Sequence, residues 1–153
     1  MKELEIDIRE LWKNKKWTCI TTNGYVTTSG KCVMGRGVAL EAKNRYSNLP
    51  TQLGSAIKKY NNRVFVFPDY KIITFPVKHF WYETADIELI KKSFNELKNI
   101  LNSPLFNIKE IYLPRPGCSN GKLKWSEVKK ELEPIYDDRI IFINKKKEKN
   151  ENS

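Results

Sequence analysis

The sequence predicts an α/β domain built on a mixed, mostly parallel six-stranded sheet. Six short segments rich in Ile, Val, Phe, Tyr and Thr alternate with stretches whose apolar residues recur at helical spacing. Pro68-Asp69-Tyr70, between the third and fourth segments, reads as a tight turn, which makes that pair a hairpin and the sheet mixed.

In chain order, Glu3–Ile8 and Trp17–Thr22 read as the first two strands, each bounded by charge or Asn-Gly. Val38, Ala42 and Tyr46 then fall four apart, and Leu53, Ala56, Ile57 and Tyr60 follow the i, i+3, i+4, i+7 rule. Arg63–Phe67 and Lys71–Phe75 flank the Pro68 turn. The clearest helix aligns Ile87, Ile90, Phe94, Leu97 and Leu101, with Asp86 and Glu88 in its first turn. That stripe is too short for a coiled-coil seam and reads as core packing. Ile108–Leu113 is the fifth strand. A last helix, begun by Ser126 as N-cap, aligns Val128, Leu132 and Ile135. The sixth strand, Arg139–Ile143, is continuously apolar, as a strand covered on both faces should be.

At 153 residues and 40% apolar, the chain suits one domain with a core that needs no staples. The domain is expected over 1–144, followed by a basic, disordered tail over 145–153. Cys19, Cys32 and Cys118 are an odd set with no Cys-x-x-Cys, and His79 is the single histidine. A disulfide framework and a metal site are therefore not expected, and a reducing cytoplasm fits best; no cofactor is expected either. No apolar run reaches the length of a membrane span, and the first residues lack the apolar core of a signal peptide. Twenty-eight Lys and Arg against 18 Asp and Glu leave a formal charge of +10, mostly outside the tail. This excess favours an anionic partner, nucleic acid among the candidates. Nothing calls for an obligate oligomer, so a monomer is expected.

Ligands of open α/β sheets lie beyond the carboxyl ends of the strands. Three loops of this kind stand out. Asn23 to Gly37 ends in Met34-Gly35-Arg36-Gly37-Val38-Ala39 at a helix start, where backbone amides favour an anion. Pro76-Val77-Lys78-His79-Phe80-Trp81 follows the fourth strand. Pro114 to Trp125 contains Gly117-Cys118-Ser119-Asn120-Gly121-Lys122, whose backbone can form an anion nest. Two glycine loops feeding helix N-termini suit a diphosphate held between them, but each loop is equally readable as a tight turn. The third glycine of a dinucleotide fingerprint and the Gly-Lys-Ser/Thr of a P-loop are both missing.

These residues resemble the macro domain, an ADP-ribose-binding family. Ile20-Thr21-Thr22-Asn23-Gly24 with Met34-Gly35-Arg36-Gly37-Val38-Ala39 is similar to that family's strand and first ligand loop. Glu5-Ile6-Asp7-Ile8 resembles its Gly-Asp-Ile signature, and Gly117-Cys118-Ser119-Asn120-Gly121-Lys122-Leu123-Lys124-Trp125 its second loop in the branch with Gly-Cys-Gly-Asn-Gly-x-Leu-x-Trp. The resemblance covers roughly residues 3–143 and implies a three-layer α/β/α fold. It also implies that Asp7 accepts from the adenine amino group, that Ile8 donates its N–H to the ring, and that Asn23 bonds the distal ribose. Gly35, Arg36, Gly37 and Val38 would wrap the diphosphate from one side. Gly117, Cys118, Ser119, Asn120, Gly121 and Lys122 would close from the other.

The residues alone leave plainer readings open. Asp7 can cap a turn toward Arg9 and Glu10, Asn23-Gly24 is a common turn pair, and Arg36 can be a surface charge. Cys118 and Trp125 read as packing residues. Phe75-Pro76-Val77-Lys78 resembles the Phe-Pro-Thr-Lys loop of the branch that looks closest, the DNA-directed antitoxin-like ADP-ribosylglycohydrolases, whose lysine is catalytic. Lys78 is thus the catalytic candidate, with an amine that could attack C1″ of the distal ribose or, protonated, polarise the leaving group. Alternation along an extended segment sends His79 to the opposite face. Relatives that clear lysine adducts from protein carry Asp where this chain has Gly121, which weakens that mechanism here.

The resemblance implies an ADP-ribose-binding protein that hydrolyses an ADP-ribose derivative: an adduct on nucleic acid or protein, or ADP-ribose 1″-phosphate. The alternatives are a non-catalytic module for ADP-ribose or a cyclic relative, and a basic nucleic-acid-binding domain without the pocket. Phe80, Trp81 and Tyr82 either stack on a base or cover the cleft or core.

Overall fold

The computed structural model describes residues 1–145. The predicted tail lies outside the described residues apart from Lys145. The elements are β1 (Lys2–Glu5), α1 (Ile8–Lys13), β2 (Thr18–Thr22), α2 (Gly37–Arg45), α3 (Leu49–Tyr60), β3 (Phe65–Phe67), β4 (Ile72–Pro76), α4 (Ile87–Asn102), β5 (Ile111–Pro114), α5 (Trp125–Leu132) and β6 (Ile140–Asn144). Strand order is β1-β6-β5-β2-β4-β3. Every pair is parallel except β3–β4, the hairpin closed by a 3₁₀ turn at Pro68–Tyr70.

Side-chain alternation along the strands builds two cores on opposite faces. Cys19, Ile73, Phe75, Ile111, Leu113, Ile140 and Phe142 face α4 and α5. Their neighbours Ile20, Ile72, Tyr112 and Ile143 face α1, α2 and α3. The result is three layers, α/β/α. β4 is buried along its whole length, which is why it reads as an unbroken apolar run.

Asp86 caps α4 by accepting from the Glu88 and Leu89 amides at 2.9 and 3.4 Å. The helix buries Ile90, Phe94, Leu97 and Leu101 on the sheet, as its stripe predicts.

Three expectations need correction. The first strand does not run to Ile8: Asp7 caps a helix whose Ile8, Leu11 and Trp12 are buried at helical spacing. The last helix starts at Trp125 with Lys124 as N-cap, so Ser126 lies inside its first turn. Leu123 donates to the Gly117 carbonyl at 2.8 Å and the Trp125 indole to Glu3 at 2.8 Å; these tethers start the helix early. Ile135 lies in a 3₁₀ turn beyond that helix.

Candidate functional site

A cleft of about 1020 Å³ opens beyond the carboxyl ends of the parallel strands, over Thr22 of β2, Val77 after β4, Pro114 of β5 and Asn144 of β6. Three loops form its walls.

The first loop is braced internally by Asn23. Its amide donates to the Val33 carbonyl at 2.9 Å and accepts the Tyr25 N–H at 2.9 Å. With Asn23 itself buried, the two limbs of the loop are stapled together. Cys32 donates to the Pro50 carbonyl at 2.9 Å, tying the loop to α3. The loop thus delivers Gly35, Arg36 and Gly37 to the N-terminus of α2, whose first turn has no acidic residue. A helix start with unpaired amides and no carboxylate of its own is suited to an anion. Gly37 has φ of +57°, which favours glycine.

The second loop is folded on itself. Gly117 has φ of +77° and Lys122 φ of +64°. The Gly121 carbonyl accepts from Ala85 at 3.0 Å. A Cβ on Gly121 would meet the Gly117 oxygen at 2.6 Å and the Ala85 Cβ at 2.7 Å, so no side chain fits there. Among the described residues, the amides of Ser119, Asn120 and Gly121 take no backbone acceptor. Glu3 on β1 anchors both ends of the loop, accepting from Arg115 at 3.2 Å, Trp125 at 2.8 Å and Lys129 at 2.9 Å. Trp125 packs 4.9 Å from the Phe142 ring, the packing role its sequence context suggests.

The third loop carries Lys78. Its backbone is held by Val77 donating to Thr22 at 2.9 Å and by the Asn62 amide donating to the Lys78 carbonyl at 3.1 Å. The ammonium donates to the Trp81 and Glu83 carbonyls at 2.9 and 3.2 Å. Partial burial lowers its pKa first, and the charges of Arg36 and Lys122 add to this, with Glu83 opposing. A cation from each glycine loop therefore lies near enough to act on Lys78. His79 is exposed, bonds Asn62 at 3.1 Å and lies outside the cleft lining.

The cleft brings together Asn23, Gly35, Arg36, Gly37, Val38, Lys78, Gly117, Cys118, Ser119, Asn120 and Gly121. Lys122 is exposed and lies outside the lining. Asp7 and Ile8 line a small adjoining pocket of about 60 Å³, which shares Val38, Glu41, Pro114, Ile143, Asn144 and Lys145 with the main cleft. Asp7 is already engaged. It caps α1 through the Arg9 amide at 2.9 Å and pairs with the Arg9 guanidinium at 2.6 Å, which pulls its carboxyl down to about 2. An amine arriving there would share the carboxylate with Arg9. Arg9 also reaches Glu41 at 3.9 Å.

Sequence reasoning missed Glu41, Thr21, Met34 and Asn144 as lining residues. Glu41 lies one turn along the helix from Gly37, a spacing that could have marked it. The Cys118 thiol donates to the Pro116 carbonyl, and burial pushes its pKa up to about 11, against the pull of Arg115. Cys118 is thus a neutral packing thiol. Among the described residues, no group of three His, Cys, Asp or Glu side chains is placed to hold a metal ion, and no helix is long and apolar enough to cross a membrane.

No protein-family model matches the chain. Comparison with solved structures aligns 95% of it with 97% of the macrodomain of Mycobacterium tuberculosis DarG, at a TM-score of 0.74 and 23% identity. The Thermus aquaticus DarG macrodomain gives 0.75 and 22% over the same shares. The chain has the macrodomain fold. Thermosipho africanus DarTG, solved in complex with ADP-ribose, aligns with 93% of this chain at a TM-score of 0.68 and 20% identity, over 42% of its own chain. In sequence, the chain is 29% identical over 124 residues to the DNA ADP-ribosyl glycohydrolase of Mycobacterium tuberculosis, covering 72% of this chain. It is 29% identical over 115 residues to that of Thermus aquaticus, covering 69%. It spans only 35% and 31% of those relatives' lengths.

Proposed function

We propose that this macrodomain binds ADP-ribose in the cleft and hydrolyses ADP-ribosyl adducts on DNA, with Lys78 as the catalytic residue. The observation that carries the reading is that Lys78 lines one cleft with residues of both glycine loops, with Arg36 and Lys122 acting on it. The relatives' name, DNA ADP-ribosyl glycohydrolase, and the ADP-ribose complex of a structural neighbour support the choice of ligand and substrate.

In this reading the amides at the start of α2 and those of Ser119 to Gly121 hold the diphosphate without a metal. Asp7, sharing its carboxylate with Arg9, selects the adenine amino group, and the Ile8 N–H meets the ring. Asn23 bonds the distal ribose with the hydrogen-bonding capacity that its loop contacts leave. Lys78 leaves the Trp81 and Glu83 carbonyls and, as the neutral amine, attacks C1″. The Nζ–C1″ bond forms, the C1″–base bond breaks, and the departing base takes the proton that the amine loses. Water then adds at C1″, the Nζ–C1″ bond breaks, and ADP-ribose leaves with the amine restored. Burial and the two neighbouring cations favour the neutral amine this step needs.

The cleft is complete within one chain, which suits a monomer, and the free thiols Cys19, Cys32 and Cys118 suit a reducing cytoplasm. Mass spectrometry of an ADP-ribosylated single-stranded oligonucleotide tests the reading. Loss of the ADP-ribosyl mass with wild type and retention with Lys78→Ala are expected. Retention with wild type would leave the second reading, a non-catalytic ADP-ribose module. The hydrogen bonds of Lys78 to the Trp81 and Glu83 carbonyls favour that reading, since they engage the amine as a structural donor.

A further inference from the structure

Four aromatic side chains gather at the edge of the cleft, and one of them, Trp81, lines it. Phe80, Trp81 and Tyr82 are 43%, 49% and 66% exposed. Phe80 stacks on Tyr82 at 5.7 Å, Trp81 meets Tyr82 edge-on at 5.4 Å, and Tyr25 reaches Phe80 at 6.2 Å. Three consecutive exposed rings are an unusual use of apolar surface, and they cover no core.

The patch is held in place. The Phe80 N–H donates to Glu83 at 2.9 Å, and Glu83 returns its N–H to the Phe80 carbonyl at 3.1 Å. Gly24 donates to the His79 carbonyl at 3.0 Å, linking the loops that carry Tyr25 and Phe80. Trp81 also lines the cleft, and its carbonyl accepts from Lys78 at 2.9 Å. The ring platform is thus continuous with the reacting end of the cleft.

We infer that Phe80, Trp81 and Tyr82, with Tyr25 behind them, form a stacking platform for the bases of a single-stranded polynucleotide beside the modified nucleotide. The inference rests on the proposed function and deepens it. Trp81 lines the cleft and its carbonyl accepts from Lys78, so a polymer joined to the distal ribose that leaves past Lys78 meets these rings. Arg36 and Lys122, close enough to Lys78 for their charges to act on it, supply positive charge for its phosphates. Flat exposed rings beside cations suit bases of any sequence, because every base has a face to stack. An apolar protein surface would use the rings but not the cations.

The test is fluorescence anisotropy with the full chain and two probes, a short labelled oligothymidylate and an abasic oligomer of equal length. Wild type should bind the base-containing probe about tenfold more tightly, the effect of stacking a base or two. Phe80→Ala/Tyr82→Ala should abolish that preference, and Tyr82→Trp, which keeps a ring, should preserve it. Equal affinity of wild type for both probes overturns the inference and leaves the rings to an apolar protein partner. A preference that survives the double substitution overturns it too. Titration of free ADP-ribose into wild type separates the two claims. If ADP-ribose binds and the probes show no base preference, only the platform fails. If ADP-ribose does not bind, the reading beneath it has failed.

Discussion

The side-chain amide of Asn120 stands 2.8 Å from the position a Cβ on Gly37 would occupy. The two glycine loops therefore meet across the cleft, and the absence of a side chain at Gly37 lets them. Gly37→Ala should displace Asn120 and also force a left-handed backbone on a residue with a Cβ. Thermal unfolding should show a loss of about 1 kcal/mol, and calorimetry a weaker ADP-ribose interaction.

Gly121 is constrained by packing. Gly121→Ala should lower stability by roughly 1–3 kcal/mol, the range for overpacking, because the Gly117 carbonyl and Ala85 leave no space. Gly121→Asp should be at least as damaging. The chain cannot acquire an acid at this position without reshaping the loop, and denaturant unfolding of both variants checks this.

Asp7 carries a structural role and a proposed ligand role, which separate by probe. Asp7→Ala should cost about 1 kcal/mol through the lost cap and weaken ADP-ribose binding about tenfold. The inosine analogue lacks the amino group and should bind both proteins alike. The pairing with Arg9 holds the carboxyl down to about 2. Its stabilisation is therefore complete above the ordinary carboxylate range and fades as pH falls toward 2. The stability gap between wild type and Asp7→Ala should close over that window.

Much of this was legible in the residues. The sheet, the hairpin at Pro68 and the stripe of α4 follow from period and turn chemistry, because those patterns serve the same two apolar faces in the fold. Boundaries at the site were not. The Ile-rich run Glu3–Ile8 reads as a strand from its composition, yet Asp7 offers its carboxylate to the Arg9 amide and starts a helix there. Ser126 lost the N-cap to tethers set by Glu3, which is distant in sequence. Glu41 is marked only by its one-turn spacing from Gly37, and Asn144 by nothing local; the fold brings both to the cleft. The glycine loops were visible because they need unusual backbone, and the partnering of Asn23 with Val33 was not, since it depends on how the loop closes.

Lys78→Arg distinguishes a neutral amine from a charged donor. Arginine can keep the bonds to the Trp81 and Glu83 carbonyls but stays charged. It should lower adduct removal by about 100-fold or more, while Lys78→Ala does the same without the loop contacts. In wild type the rate should rise with pH as the amine loses its proton, with a midpoint below the usual lysine range. A profile flat through that range would exclude the neutral amine and leave Lys78 as a charged donor.

The central claim is that the two glycine loops and the α2 N-terminus hold the diphosphate of ADP-ribose. Calorimetric titration of ADP-ribose into the wild-type chain, paired with its thermal melt, tests it most directly. Saturable binding of one ligand per chain and a rise in melting temperature are expected. No heat and no shift at millimolar ADP-ribose, with the protein folded, would contradict it.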